Sequence, residues 1–137
     1  MAKAYFIGGV PRVGKTTLTT RVLKVKPMLT ASTDAIRFTI RQIIDSNDEP
    51  ELFALRDLVH SNDKSGLLHE NPKVVLQMQN EESAIVWESV LNFVKSNLED
   101  GFDVLVEGVA ILPSKLAELD FDYSAVFLGN RSQTHLD

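Results

Sequence analysis

The stretch GVPRVGKT at residues 9–16 decides the fold that this sequence predicts. Its two glycines are separated by four residues and followed directly by a lysine and a threonine, which is the pattern of a phosphate-binding loop. The apolar residues 4–8 before it are typical of a short buried parallel strand, and apolar residues at helical spacing follow it until Pro27. A strand, a glycine-containing loop and a helix therefore come in the order that a nucleotide site requires.

Each residue type in this loop suits an anion. Gly9 and Gly14 lack a Cβ, so the backbone can adopt positive φ and bring its N–H groups close to a phosphate. Lys15 can reach the β- and γ-phosphates, and the Thr16 hydroxyl can ligate Mg²⁺. The alternative is a glycine-rich turn without a ligand, which the flanking strand and helix disfavour. We expect the nucleotide-binding residues to be Gly9, Arg12, Val13, Gly14, Lys15, Thr16 and Thr17.

The composition limits the class of protein. A chain of 137 residues with 44% hydrophobic residues predicts a single domain over 1–137. The formal net charge of −5 gives no indication of a nucleic-acid-binding surface, and the absence of cysteine excludes disulfides, a thiolate nucleophile and a cysteine-based zinc site. Met1 leads almost directly into the first strand, and the apolar runs are too short to span a membrane. We therefore expect a cytoplasmic protein without membrane or nucleic-acid partners.

The remaining periodicities predict an α/β fold with a parallel sheet. The elements predicted after the loop and its helix are a strand over 28–33, helices over 35–45 and 51–63, a loop over 61–72, a long helix over 72–100, a strand over 102–106, a brief helix over 113–119 and a strand over 123–128. The segment of about 47–100 is longer than one crossover connection needs, so it predicts a helical insert that leans over the phosphate loop. Small-molecule kinases use an insert of this kind to hold the acceptor. Within it, Trp87 is expected in the core, and Gly101 is expected to cap the long helix in a left-handed conformation.

Two acidic residues follow or end predicted strands, where an open α/β sheet holds its ligands. Asp34 could accept the proton of an acceptor hydroxyl, or it could simply cap the next helix. Glu107 resembles the acidic end of a Walker B strand, which would hold Mg²⁺ through water, but it could also be a solvated turn carboxylate. Arg37 and Arg41, one and two turns after Asp34, could bind an anionic group on the acceptor or form a solvated helix face.

Three stretches together resemble a known group of enzymes. GGVPRVGKTT at 8–17 is similar to the loop of P-loop kinases in the adenylate-kinase-like group. STDAIR at 32–37 and VEGVAILP at 106–113 resemble the corresponding stretches of 2-phosphoglycerate kinases. The resemblance implies a P-loop NTPase fold of three α/β/α layers, with ATP and Mg²⁺ bound. It also extends to chloramphenicol phosphotransferases and zeta toxins, which implies an acceptor-activating base at Asp34.

The sequence also departs from that family. Ala110 stands where relatives often carry a histidine, and relatives continue past the fourth strand through an arginine-bearing lid and a fifth strand. The resemblance therefore implies the strand order 2-3-1-4 with the fifth strand absent, which leaves 123–128 as an edge through which copies could associate.

Two functions follow from these patterns. The first is a Mg-ATP-dependent phosphotransferase for a small hydroxylated acceptor, neutral or anionic, such as 2-phosphoglycerate, with Lys15, Asp34 and Arg37 as catalytic residues and Thr16 and Glu107 as metal ligands. The alternative is a nucleotide-binding regulatory module without catalysis, or a truncated remnant of such a kinase.

Overall fold

The sheet that holds the predicted motifs has four parallel strands. The computed structural model describes residues 2–9, 14–59 and 71–129. Its strands are β1 (Ala4–Gly9), β2 (Leu29–Ser32), β3 (Val104–Gly108) and β4 (Tyr123–Leu128), in the spatial order β2-β3-β1-β4. The helices are α1 (Lys15–Val25), α2 (Thr33–Arg41), α3 (Glu51–Val59), α4 (Pro72–Glu99) and the short α5 (Pro113–Leu116). The predicted α/β class, parallel sheet and order of these strands are confirmed.

The strand register brings the ends of the first three strands level. Glu107 in β3 lies opposite Ile7 in β1 on one side and Ser32 in β2 on the other. Because all the pairs are parallel, the segments that follow these strands leave the sheet at the same carboxyl edge. The end of β1, the start of α2 and the end of β3 therefore meet there, although they are far apart in the sequence.

The core explains why β1 and β3 are apolar throughout. Val104, Leu105 and Val106 are all fully buried, as expected for a central parallel strand covered on both faces. Helix α4 supplies much of the cover, and its Trp87 packs against Phe6 of β1 with the ring centroids 5.8 Å apart. Trp87 is therefore a core residue, as predicted.

The ends of α4 agree closely with the sequence-based boundaries of 72–100. Gly101 has φ 89° just after the helix. The Gly101 N–H donates to the Leu98 carbonyl and the Phe102 N–H donates to the Asn97 carbonyl, each at 3.0 Å. This pair of bonds is the Schellman motif, which satisfies carbonyls at the helix end, so the predicted left-handed cap is confirmed.

Several other boundaries differ from the predictions. Strand β3 is Val104–Gly108 rather than 102–106, and α5 ends at Leu116 rather than 119. Strand β2 is shorter than 28–33, because Thr33 already begins α2. Helix α2 ends at Arg41 rather than 45, since the chain tightens into turns there, with the Ile43 N–H donating to the Ile40 carbonyl at 3.1 Å. Helix α3 is described only to Val59, so the predicted extension to 63 lies outside the described residues, as does almost all of the predicted loop over 61–72.

Most of the described residues between β2 and β3 are helical, as the predicted insert requires. Helix α3 packs on α4, and its Leu52 and Phe53 are buried against that helix and the sheet. Helix α2 also contacts α4. Within the described ranges, no helix is long and apolar enough to cross a membrane.

Candidate functional site

A cavity of about 530 Å³ opens at the carboxyl edge of the sheet. Its lining combines the start of α1, the first turn of α2, one residue of α4 and the end of β3. The lining residues are Gly14, Lys15, Thr16, Thr17, Asp34, Arg37, Gln79, Glu107, Gly108 and Val109. The structure thus brings most of the predicted site residues together. Gly9 lies at an adjoining cavity, whereas Arg12 and Val13 lie outside the described residues.

Both loop glycines have the backbone conformation that was predicted for them. Gly14 has φ 97° and precedes the first turn of α1, and Gly9 has φ 136°. A Cβ on Gly9 would also lie only 3.1 Å from the backbone nitrogen of Leu128 in β4 and even closer to its carbonyl oxygen. Both positions therefore favour glycine, Gly9 for two reasons and Gly14 for its left-handed conformation alone.

The N-terminus of α1 presents polar groups to this cavity. Its N-cap residue is Gly14, which has no side chain that could accept a hydrogen bond from the first-turn N–H groups. The side chain of Lys15 is buried at the cavity wall, and Thr16 and Thr17 are exposed to it. Because the first turn of a helix presents N–H groups and the positive end of the helix dipole, this end of the cavity suits an anion.

Glu107 lies inside β3 rather than in a turn after it, and it is half-buried. Burial raises the pKa of its carboxyl group above the ordinary value. The positive charge of Lys15 lowers that pKa and the negative charge of Asp34 raises it further. These three side chains therefore interact electrostatically across the cavity, and Glu107 is not a freely solvated turn carboxylate.

Asp34 lies in the first turn of α2, but it does not cap the helix. The capping residue is Ser32, whose Oγ accepts a hydrogen bond from the Ala35 N–H at 3.0 Å. The Asp34 side chain is 66% exposed, and its Oδ1 lies 3.0 Å from Nη2 of Arg37. The cap alternative for Asp34 is therefore wrong, and its carboxylate faces the cavity beside a guanidinium group.

Arg37 and Arg41 converge on one carboxylate of α4. Arg37 Nη1 donates to Oε1 of Glu82 at 3.0 Å, and Arg41 Nη2 donates to Oε2 of the same residue at 2.8 Å. Arg41 Nε also donates to the Leu52 carbonyl of α3 at 2.9 Å. Burial lowers the pKa of Arg41, and the charge of Glu82 opposes that shift. The solvated-face alternative is therefore wrong for both arginines, because each is tied to the insert.

Glu82 and Gln79 are the residues that sequence reasoning missed. Glu82 is buried, with only 5% of its side chain exposed. Its position is four residues after Met78 and three before Ile85, so it falls in the apolar stripe of α4. A glutamate in a stripe of this kind signals a buried ion pair, and this signal was available in the sequence.

Thr33 and Gly108 fix how α2 meets the end of β3. Thr33 is fully buried, and its Oγ1 accepts a hydrogen bond from the Ala110 N–H at 3.4 Å. Gly108 has φ 150°, and a Cβ there would lie 2.8 Å from the Cβ of Thr33. Ala110 is itself buried and does not line the cavity, so it is a packing position here.

Comparison with family models and with curated proteins identifies no family for this chain. No protein-family model matches the sequence, and no curated protein matches it significantly. The function of the chain is therefore inferred from the side chains at this cavity.

Proposed function

We propose that this chain is a P-loop phosphotransferase, which transfers the γ-phosphoryl group of Mg-ATP to a hydroxyl group of a small acceptor. One observation carries the proposal. Lys15 of α1, Asp34 of α2 and Glu107 of β3 come from distant parts of the sequence and line one cavity of about 530 Å³. A cation, an exposed carboxylate and a half-buried carboxylate beside a helix N-terminus are the groups that phosphoryl transfer uses.

The nucleotide end of the site is the start of α1. The positive φ values of Gly9 and Gly14 and the first-turn N–H groups of α1 suit close approach of a triphosphate. Lys15 would then neutralise part of the negative charge on the β- and γ-phosphates. Its position at the buried wall of the cavity supports this role, because the ammonium group is already partly desolvated.

Mg²⁺ fits the donors at this end of the cavity. Thr16 and Glu107 both line it and offer a hydroxyl and a carboxylate oxygen. In the described residues no group of three or more acidic, histidine or cysteine side chains could hold a metal ion. Mg²⁺ at a triphosphate does not need such a group, since water and phosphate supply most of its ligands. When bound, the ion would neutralise phosphate charge during transfer.

Asp34 would act on the acceptor. Its carboxylate would take the proton of the acceptor hydroxyl as the hydroxyl oxygen forms a bond to the γ-phosphorus. The bond from that phosphorus to the β–γ bridging oxygen breaks, ADP leaves, and Asp34 returns the proton to solvent. The 66% exposure of the Asp34 side chain leaves room for an acceptor beside it.

The second candidate is a nucleotide-binding module without catalysis. The observation that favours it is the 3.0 Å ion pair between Asp34 and Arg37, because the guanidinium group already occupies one oxygen of the carboxylate that would have to accept the proton. On this alternative the two carboxylates and Lys15 would serve only to bind the nucleotide.

The test measures ATP binding and ADP release together in a Lys15→Ala variant. We expect its ATP affinity to fall by about 2 kcal/mol, roughly 30-fold, the scale of a lost charge-assisted bond. The matched control is Lys24→Ala, which removes an exposed lysine from the last turn of the same helix. Equal ATP affinity in the two folded variants would exclude the phosphate-loop assignment. Normal ATP binding with no ADP release from the wild type against a panel of alcohols would favour the binding module.

A further inference from the structure

We propose that the acceptor is an electrically neutral alcohol with an apolar body, which lies in a second cavity beside the phosphate-loop cavity. This inference rests on the proposed function and narrows its acceptor class. The second cavity has a volume of about 290 Å³. Arg37, Gln79 and Val109 line both cavities, so a single small molecule can extend from one into the other.

The position of the second cavity suits an acceptor rather than a nucleotide. It lies between the helical insert and the sheet, with walls from α3, α4, the segment after β3 and the end of β4. The phosphate-binding end of α1 belongs to the first cavity. A molecule whose hydroxyl is beside Asp34 can therefore place the rest of its atoms beyond Arg37, away from the triphosphate.

The lining of this second cavity is mostly apolar. Its apolar side chains include Leu55, Leu76, Val109, Ile111, Leu112 and Phe127. Its uncharged polar side chains are Gln79, Asn80 and Ser83 of α4. A small-molecule pocket with an apolar lining and a few amide and hydroxyl groups binds an apolar body and orients it by one or two hydrogen bonds.

The charges at this cavity cancel among themselves. Arg37 and Glu82 are the charged residues that line it within the described chain, and they lie 3.0 Å apart. The second guanidinium edge of Arg37 contacts Asp34, and the second oxygen of Glu82 contacts Arg41. Two arginines are thus balanced by two carboxylates, so these four side chains offer an anionic acceptor no net positive charge.

The first cavity makes an anionic acceptor still less favourable. Lys15 is the cation assigned to the nucleotide phosphates, and the carboxylates of Asp34 and Glu107 line the same space. A phosphate group on the acceptor would therefore meet the triphosphate and two carboxylates at short range. A neutral alcohol avoids this repulsion and removes apolar surface from water in the second cavity.

The test compares two probes on the full chain with Mg²⁺ and a saturating non-hydrolysable ATP analogue. The neutral probe is 1-phenylethane-1,2-diol and the anionic probe is 2-phosphoglycerate. By calorimetry, we expect the diol to bind at least about tenfold more tightly than 2-phosphoglycerate. By NMR, we expect the diol to shift the backbone amide signals of Leu76, Asn80 and Ser83.

A pair of variants then tests the location. Leu76→Glu adds a carboxylate at the second cavity and should weaken diol binding at least about fivefold. Val74→Glu makes the same kind of change on the same helix but outside both cavities, and should leave diol binding unchanged. The replaced side chains are both exposed, Leu76 by 56% and Val74 by 42%, so both variants should fold and bind the ATP analogue normally.

Several results would overturn the proposal. They are 2-phosphoglycerate binding as tightly as the diol, equal effects of the two variants on the diol, and no detectable binding of the diol at millimolar concentration. Failure of the ATP analogue to bind would instead reject the proposed function. The diol titration without nucleotide, with its response to Leu76→Glu, would then still decide whether the second cavity is an apolar alcohol site.

Discussion

Arg37 on α2 donates from Nη1 to Oε1 of Glu82 on α4 at 3.0 Å, across 45 residues of sequence. The same carboxylate also accepts from Arg41, which is tied to the Leu52 carbonyl of α3. Glu82 therefore joins the three helices that the structure describes between β2 and β3. Because Arg37 also contacts Asp34, this buried carboxylate determines where a candidate catalytic group can lie.

We expect Glu82→Gln to destabilise the fold by on the order of 2–4 kcal/mol, because it leaves the guanidinium groups of Arg37 and Arg41 without their shared counter-charge. Chemical denaturation monitored by tryptophan fluorescence measures the effect. Glu81→Gln is the matched control, since Glu81 is the exposed neighbour on α4, and it should change the unfolding free energy by less than about 0.5 kcal/mol. Similar unfolding free energies for the two variants would show that the ion pairs contribute little.

Asp34→Asn should separate catalysis from nucleotide binding. We expect ATP affinity to change little and turnover with an alcohol acceptor to fall by roughly 10²-fold or more, the usual contribution of a general base. Asp48→Asn is the control, because Asp48 is exposed and does not line the site cavity. Full turnover in Asp34→Asn, measured by ADP release, would exclude a catalytic role for this carboxylate.

Glu107 makes the stability of the folded chain depend on pH. Its raised pKa means that the folded state binds the proton more tightly than the unfolded state does. Glu107 therefore lowers stability as pH rises from the ordinary carboxyl pKa through the raised folded value. Without nucleotide or Mg²⁺, Glu107→Gln should unfold at a higher temperature than the wild type at neutral pH, and this difference should disappear below both pKa values.

Thermal unfolding between pH 3 and 8 checks this expectation. The control is Glu118→Gln, which replaces an exposed glutamate, and its unfolding temperature should differ from that of the wild type by the same amount at every pH. If Glu107 holds Mg²⁺ as proposed, Mg²⁺ should increase the ATP affinity of the wild type but not that of the Glu107→Gln variant. A variant less stable than the wild type at neutral pH would show that the ionised carboxylate stabilises the fold instead.

Strand β4 forms one edge of the described sheet, where it pairs with β1. Its Val126 is 49% exposed, and the strand contains no lysine or proline that would discourage pairing with another chain. We expect the wild type to self-associate at high concentration in analytical ultracentrifugation and Val126→Lys to shift it towards the monomer. Val25→Lys adds the same charge at the end of α1 and should not have this effect. A wild type that remains monomeric at its solubility limit would contradict this prediction.

The sequence predicted the helices, the strands and the carboxyl edge of the sheet, because these features depend on local chemistry. Helical and strand periodicities located the elements to within a few residues, and glycines at 9, 14 and 101 marked three positions of positive φ, although the positive φ of Gly108 was not predicted. Asp34 and Glu107 could be placed at one sheet edge because parallel strands end on the same side. None of these inferences required knowledge of which helix packs against which.

The tertiary structure decided the partners of the charged groups. From the sequence, Arg37 and Arg41 are expected to face either solvent or an acceptor. Their pairing with Glu82 could not be foreseen, because Glu82 lies on another helix more than 40 residues away. The two arginines and Glu82 are partly or fully withdrawn from water, and such charges are stable only where packing brings opposite charges into hydrogen-bond distance. The sequence by itself thus predicted the helices, the strands and the left-handed glycines that flank the proposed phosphate loop, whereas only three-dimensional packing determined which charges are neutralised and which cavity stays apolar.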